Sequence, residues 1–151
     1  MNKAAKDFAD YLASKDIDSF KVEELNDEHG SVIFRSTLIL NGQSIPVGII
    51  LDDTIYAIVR VNIAVRAMND DNYYELVNLV MRLNNKSKLF KYYITPDMSV
   101  ILDVCLPFNK GHLSCELLYR LVAVTAPVSH RTDSVRSAAV FQQLPDHLPI
   151  R

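Results

Sequence analysis

At 151 residues, with 49% apolar and 23% charged side chains, the chain can bury a core without a disulfide or metal staple and reads as one domain. Its net charge of -2 and pI near 6.0 argue against the basic face that nucleic acid or an anionic membrane requires. No apolar run approaches the ~20 residues that cross a bilayer, and the two cysteines, Cys105 and Cys115, make no disulfide framework.

Residues 3–15 are predicted as a first helix. Ala4, Ala5, Phe8, Tyr11 and Leu12 share one face of it, and the charges lie mostly elsewhere. Because Met1-Asn2-Lys3 leads into this pattern and not into an apolar leader, the chain is expected in a reducing cytoplasm with both thiols free. Residues 20–26 alternate weakly and suit a short edge strand guarded by its charges. After the turn Asp27-Glu28-His29-Gly30, residues 31–40 form a stronger strand. Asn41-Gly42 is a two-residue hairpin signal, and residues 43–51 return, with Pro46 pointing to an edge or a bulge. Asp52-Asp53-Thr54 turns the chain into the next strand, 55–64. Connections this short predict an antiparallel meander.

The best-defined stretch runs from Asn72 to Leu106. Tyr73, Leu76, Val77, Val80 and Leu83 form one helical stripe, with Asp70, Asp71 or Asn72 as N-cap. Residues 89–94 and 100–106 then form a hairpin around Thr95-Pro96-Asp97-Met98-Ser99. Ser114 caps a last helix on which Leu117, Leu118, Leu121, Val122 and Thr125 align, and Pro127 ends or kinks it. Residues 129–151 read as a poorly ordered tail, with room for a short helix at Ala138-Ala139-Val140-Phe141. The prediction is therefore one domain over 1–128 plus that tail. Its class is α+β: an antiparallel twisted sheet with helices mainly on one face, in the order α-β-β-β-β-α-β-β-α.

The segment SVIFRSTLILNGQSIPVGIILDDTIYAIVRVNIA, a helix ending LVMRLNN and the hairpin LFKYYITPDMSVILDVCLP together resemble the YbjN-like family, over roughly residues 3–125. That family shares the fold of type III secretion chaperones. The resemblance implies a small α+β domain that dimerises and binds other polypeptides; it brings no catalytic signature.

A search for reaction chemistry finds little. There is no glycine-rich phosphate loop and no G-x-S-x-G. Cys105, His112 and Cys115 carry metal-type letters, but their spacing fits no zinc site, which would need four ligands. Cys115 lies near a helix N-terminus that could lower its pKa, and His112 is the candidate base for it. The doublets Asp52-Asp53 and Asp70-Asp71 could hold a divalent cation; turn and cap chemistry accounts for them more simply. Lone His29, His130 and His147 read as solvated. No catalytic, cofactor or metal residue is assigned, and no enzymatic activity is expected.

Alternation assigns the strand faces. Ala57, Val59, Val61 and Ile63 should face the core, as should Phe90, Tyr92, Ile94, Val100, Leu102, Val104 and Leu106. The reverse face then carries Tyr56, Ile58, Arg60, Lys91, Tyr93, Ile101 and Asp103, with Lys91 and Asp103 as a cross-strand charge pair. Aromatics, an arginine and apolar neighbours are what protein interfaces enrich. The expected function is a non-enzymatic, homodimeric interaction module that binds a protein partner through these residues, with no nucleic acid or membrane involved. The alternative is a regulator that takes a small molecule or ion between the central helix and the sheet.

Overall fold

The computed structural model describes residues 1–130 apart from Asn41. Of the predicted tail, 129–151, residues 131–151 lie outside the described residues. The elements are α1 (Lys3–Ser14), β1 (Lys21–Glu24), β2 (Val32–Leu40), β3 (Gln43–Leu51), β4 (Tyr56–Ala64), α2 (Tyr73–Lys86), β5 (Phe90–Ile94), β6 (Val100–Pro107) and α3 (Cys115–His130). This is the predicted order. The strands form one open antiparallel sheet, β1-β2-β3-β4-β6-β5.

The helices share one side, where the strands present their continuous apolar face. Phe34, Val47, Ile49, Val59, Val61, Tyr92, Leu102 and Val104 join a single cluster with residues from every helix. Ala5, Phe8 and Leu12 come from α1, Leu76, Leu79 and Val80 from α2, and Leu118, Leu121 and Val122 from α3. Phe8 meets Phe34 edge-on, with ring centroids 5.0 Å apart, a favoured aromatic geometry. α3 lies over β4 and β2, and α2 over β5. The alternation in β4 is as predicted: Ala57, Val59, Val61 and Ile63 are buried, and the residues between them are not.

Local chemistry sets the boundaries. The Asn2 side chain accepts from the Ala5 amide at 2.9 Å and donates to the Leu51 carbonyl at 2.9 Å. One residue thus caps α1 and ties it to the end of β3. Ser114 does the same for α3, its Oγ accepting from the Leu117 amide at 3.3 Å.

Several expectations are corrected. The helical stripe on α2 is rotated: Leu79 is buried and Tyr73 is 46% exposed, because 76, 79, 80 and 83 give an all-aliphatic face and leave the tyrosine hydroxyl in water. Asn72 is the N-cap residue but makes no side-chain cap bond. Its amide instead donates to the Ala67 carbonyl at 2.8 Å and accepts from the Asn69 amide at 2.8 Å, bracing the approach to the helix. Pro46 lies in an inner strand but is paired only on its β2 side, so it stands at a local edge as expected. The β3–β4 ladder starts at Val47, so the missing N–H costs no ladder bond. The register shift between Asn62 and Ala64 belongs to the ladder of β4 with β6. Finally, α3 continues through Pro127 to His130, so the proline does not end it.

β5 is an edge strand, and its own chain takes up the outward groups at its centre and start. The Phe90 amide donates to Ser87 Oγ at 2.8 Å. The Tyr92 amide donates to Asn84 Oδ1 at 2.7 Å, and Asn84 Nδ2 donates back to the Tyr92 carbonyl at 2.9 Å. The carboxamide of α2 thus stands where a further strand would bond.

Candidate partner-binding face

The strand register sorts the predicted residues into rows on the face turned away from the helices. Arg60, Asp103 and Lys91 are directly opposite one another across β4, β6 and β5. Asn62, Ile101 and Tyr93 form the next row, and Ile58 sits opposite Cys105. Tyr56 ends the patch opposite Pro107 and is 46% exposed.

Asp103 is the centre of this face. It accepts from Arg60 Nε at 2.9 Å, from Arg60 Nη2 at 2.8 Å and from the Tyr93 hydroxyl at 3.0 Å. The guanidinium meets both carboxylate oxygens, the forked arrangement that arginine geometry favours. The side chains of the pair are only 16% and 14% exposed. The Asp103 hydrogen bond holds the Arg60 pKa above its ordinary value, outweighing a burial effect in the opposite sense. Burial, reinforced by the negative Asp103, pushes the Tyr93 phenol up to about 12, against a smaller lowering by Arg60.

The expected ion pair between Lys91 and Asp103 does not form, although the register puts them opposite each other. Arg60 flanks the same carboxylate from β4 and takes it with two donors where lysine would offer a point charge. Lys91 Nζ instead stands 5.5 Å from the centre of the Tyr93 ring, within cation–π range. Ile101 is 6% exposed, so it is a floor residue of the patch and offers little surface of its own.

The sequence reading missed further members of this face. Ile33, beside Ile50 in the row of Ile58, is 1% exposed, yet it lies outside the main core cluster. Arg35 pairs with Glu23 at 2.6 Å. The clue was available: Glu23, Ile33 and Arg35 share the parity of Arg60 once the hairpin turns are set. Asn62 Oδ1 is buried without a hydrogen-bond partner among the described residues, at the register shift in β4.

The other candidates stay apart. Cys105 is exposed on the open face, and Cys115 is half-buried at the start of α3. Burial, then the nearby Asp7 charge, pushes the Cys115 thiol up. The helix N-terminus therefore does not produce the lowered pKa expected there. Asp52 accepts from the Thr54 amide at 2.9 Å, as a turn residue does. Among the described residues no His, Cys, Asp and Glu side chains gather in a group that could hold a metal ion. A shallow depression involving Asn2, Lys3, Asp52, Phe108 and Lys110 lies at the start of α1, away from the cleft between α2 and the sheet that the ligand reading called for. No described helix is long and apolar enough to cross a membrane.

Fold and face together define an α+β domain with a helical layer on one side and a mixed aromatic and charged surface on the other. No family model matches the chain, and no curated protein or solved structure matches it either. Nothing in these comparisons identifies the YbjN-like family.

Proposed function

We propose that this is a non-enzymatic protein-interaction domain that binds polypeptide partners through the helix-free face of its sheet. The observation that supports the reading is the Arg60–Asp103–Tyr93 cluster among apolar neighbours. A rigid, partly desolvated charge pair costs little to cover, because its groups are already satisfied. The aromatic Tyr56 and the aliphatic Ile58 beside it supply apolar area for burial. In this reading Tyr56, Ile58 and Tyr93 bury area against the partner, Ile101 supports them from below, and Arg60, Lys91 and Asp103 set register through charge. The YbjN-like pattern adds a chaperone-like role and self-association to the same proposal, and the free thiols and N-terminal pattern add a cytoplasmic setting.

The test is affinity capture with the full chain, beside Tyr56→Glu and Lys91→Glu variants of unchanged melting temperature. Both side chains are exposed, so the fold should tolerate the changes. Polypeptides retained by the native chain and lost by both variants fit the proposal. Retention by all three chains, or by none, contradicts it.

A further inference from the structure

The two edges of the sheet are treated differently. On β5 the chain's own side chains take up the outward amides of Phe90 and Tyr92 and the Tyr92 carbonyl. On β1 the groups stay open. The Leu25 amide donates to the Ser31 carbonyl at 2.8 Å, which fixes the phase of the β1–β2 ladder. Residues 21, 23 and 25 therefore bond inward, and Val22 and Glu24 aim their N–H and C=O groups outward. Among the described residues no hydrogen bond takes up these outward groups. All of β1 is exposed, and Val22 is 48% exposed.

Charge gives the edge a definite partner. Lys21 stands directly opposite Arg35, and like charges facing each other across strands destabilise the pair. Arg35 is engaged by Glu23 at 2.6 Å. Lys21 has no carboxylate partner among the described residues.

We infer that β1 pairs antiparallel with β1 of a second copy of this chain, about a two-fold axis at Val22. A two-fold axis perpendicular to the sheet keeps each face on its own side, so a residue can meet only residues of its own parity. Centring the axis on Lys21, Glu23 or Glu24 would put like charges in contact. At Val22 the pairing sets valine against valine and Lys21 against the partner's Glu23, twice by symmetry. It also matches the outward bonding groups: Val22 exchanges hydrogen bonds with its own copy, and Glu24 with the partner's Phe20. The result is one continuous sheet with both helical layers on the same side. This pairing does not depend on the open-face reading: it runs through the main chain of β1 and uses none of Tyr56, Ile58, Arg60, Lys91, Tyr93, Ile101 and Asp103.

The test is sedimentation velocity of the full chain at low ionic strength up to sub-millimolar concentration. Native protein should dimerise reversibly. Lys21→Glu should weaken the dimer at least about tenfold, because two attractive contacts become repulsive. Its melting temperature in the dilute monomer should hold, because the clash with Arg35 is relieved. Glu23→Lys alone should also stay monomeric, and an equimolar mixture of the two variants should restore association through complementary charges. Val22→Pro gives a second reading if Glu23→Lys fails to fold. It removes an outward N–H while leaving the ladder to β2 intact, and it should abolish dimerisation. A native chain that stays monomeric, or a dimer unmoved by both Lys21→Glu and Val22→Pro, would overturn the inference.

Discussion

Changing Asp103 to Asn removes the negative charge on which Arg60 and Tyr93 both rely, at nearly constant shape. Three hydrogen bonds, from Arg60 Nε, Arg60 Nη2 and the Tyr93 hydroxyl, then end on a neutral amide. The fork is also broken, since one of the two oxygens becomes an NH2 group that faces donors. Hydrogen bonds to a charged group contribute about 1.5–3 kcal/mol each, and breaking a fully buried ion pair costs about 3–5 kcal/mol. This pair keeps 16% and 14% exposure, so water recovers part of the loss. The expected cost is about 2–3 kcal/mol. Urea unfolding followed by circular dichroism should show a lower midpoint at unchanged slope. Replacing both partners, Arg60→Met with Asp103→Leu, should recover most of that loss, because no charge is left unpaired. A single substitution costing under about 0.5 kcal/mol, the size of an ordinary surface change, would refute the reasoning. So would a double variant as unstable as the sum of the singles.

Further predictions concern the same sheet. Tyr93 titrates at about 12 in the folded chain against 10.0 as the ordinary value, so the folded state holds the phenol proton more tightly. Its contribution to stability is complete below pH 10 and declines as pH rises toward 12; solvent screening at this part-exposed site keeps it to about 1 kcal/mol. Ultraviolet titration, taken as the difference from Tyr93→Phe, should place Tyr93 high in the native chain and lower in Asp103→Asn. A native Tyr93 titrating at the ordinary value contradicts the assignment. Asn84→Ala should cost about 1–2 kcal/mol and speed hydrogen exchange at the Tyr92 amide; an unchanged rate there means the carboxamide does not seal the edge. Asn62→Val removes a buried oxygen that lacks a partner and adds a β-favouring side chain. It should stabilise the chain by about 1 kcal/mol, and a lower melting temperature would show that Asn62 is engaged.

The sequence carried the element order and the core face of β4, because alternation between turns registers both directly. It could not say what lies over a face. Ile101 and Ile33 have the parity of the open side, yet both are buried, through neighbours brought by other strands. Asp103 has a cation on either side, and only the register and guanidinium geometry decide that Arg60 wins over Lys91. The edge seal by Asn84 joins a helix to a strand through a side chain that periodicity counts merely as polar. Pro127 carried a local tendency to stop a helix, yet α3 runs through it.

Cys105 offers the most direct check on the open face, because it is exposed in the row of Ile58 while Cys115 lies at the start of α3. The two thiols can be alkylated in the isolated chain and in the chain bound to a captured polypeptide, with mass spectrometry separating them. The account predicts that binding protects Cys105 and leaves the rate at Cys115 unchanged. Protection of Cys115 alone, with Cys105 as reactive as before, would place the partner on the helical side and contradict it.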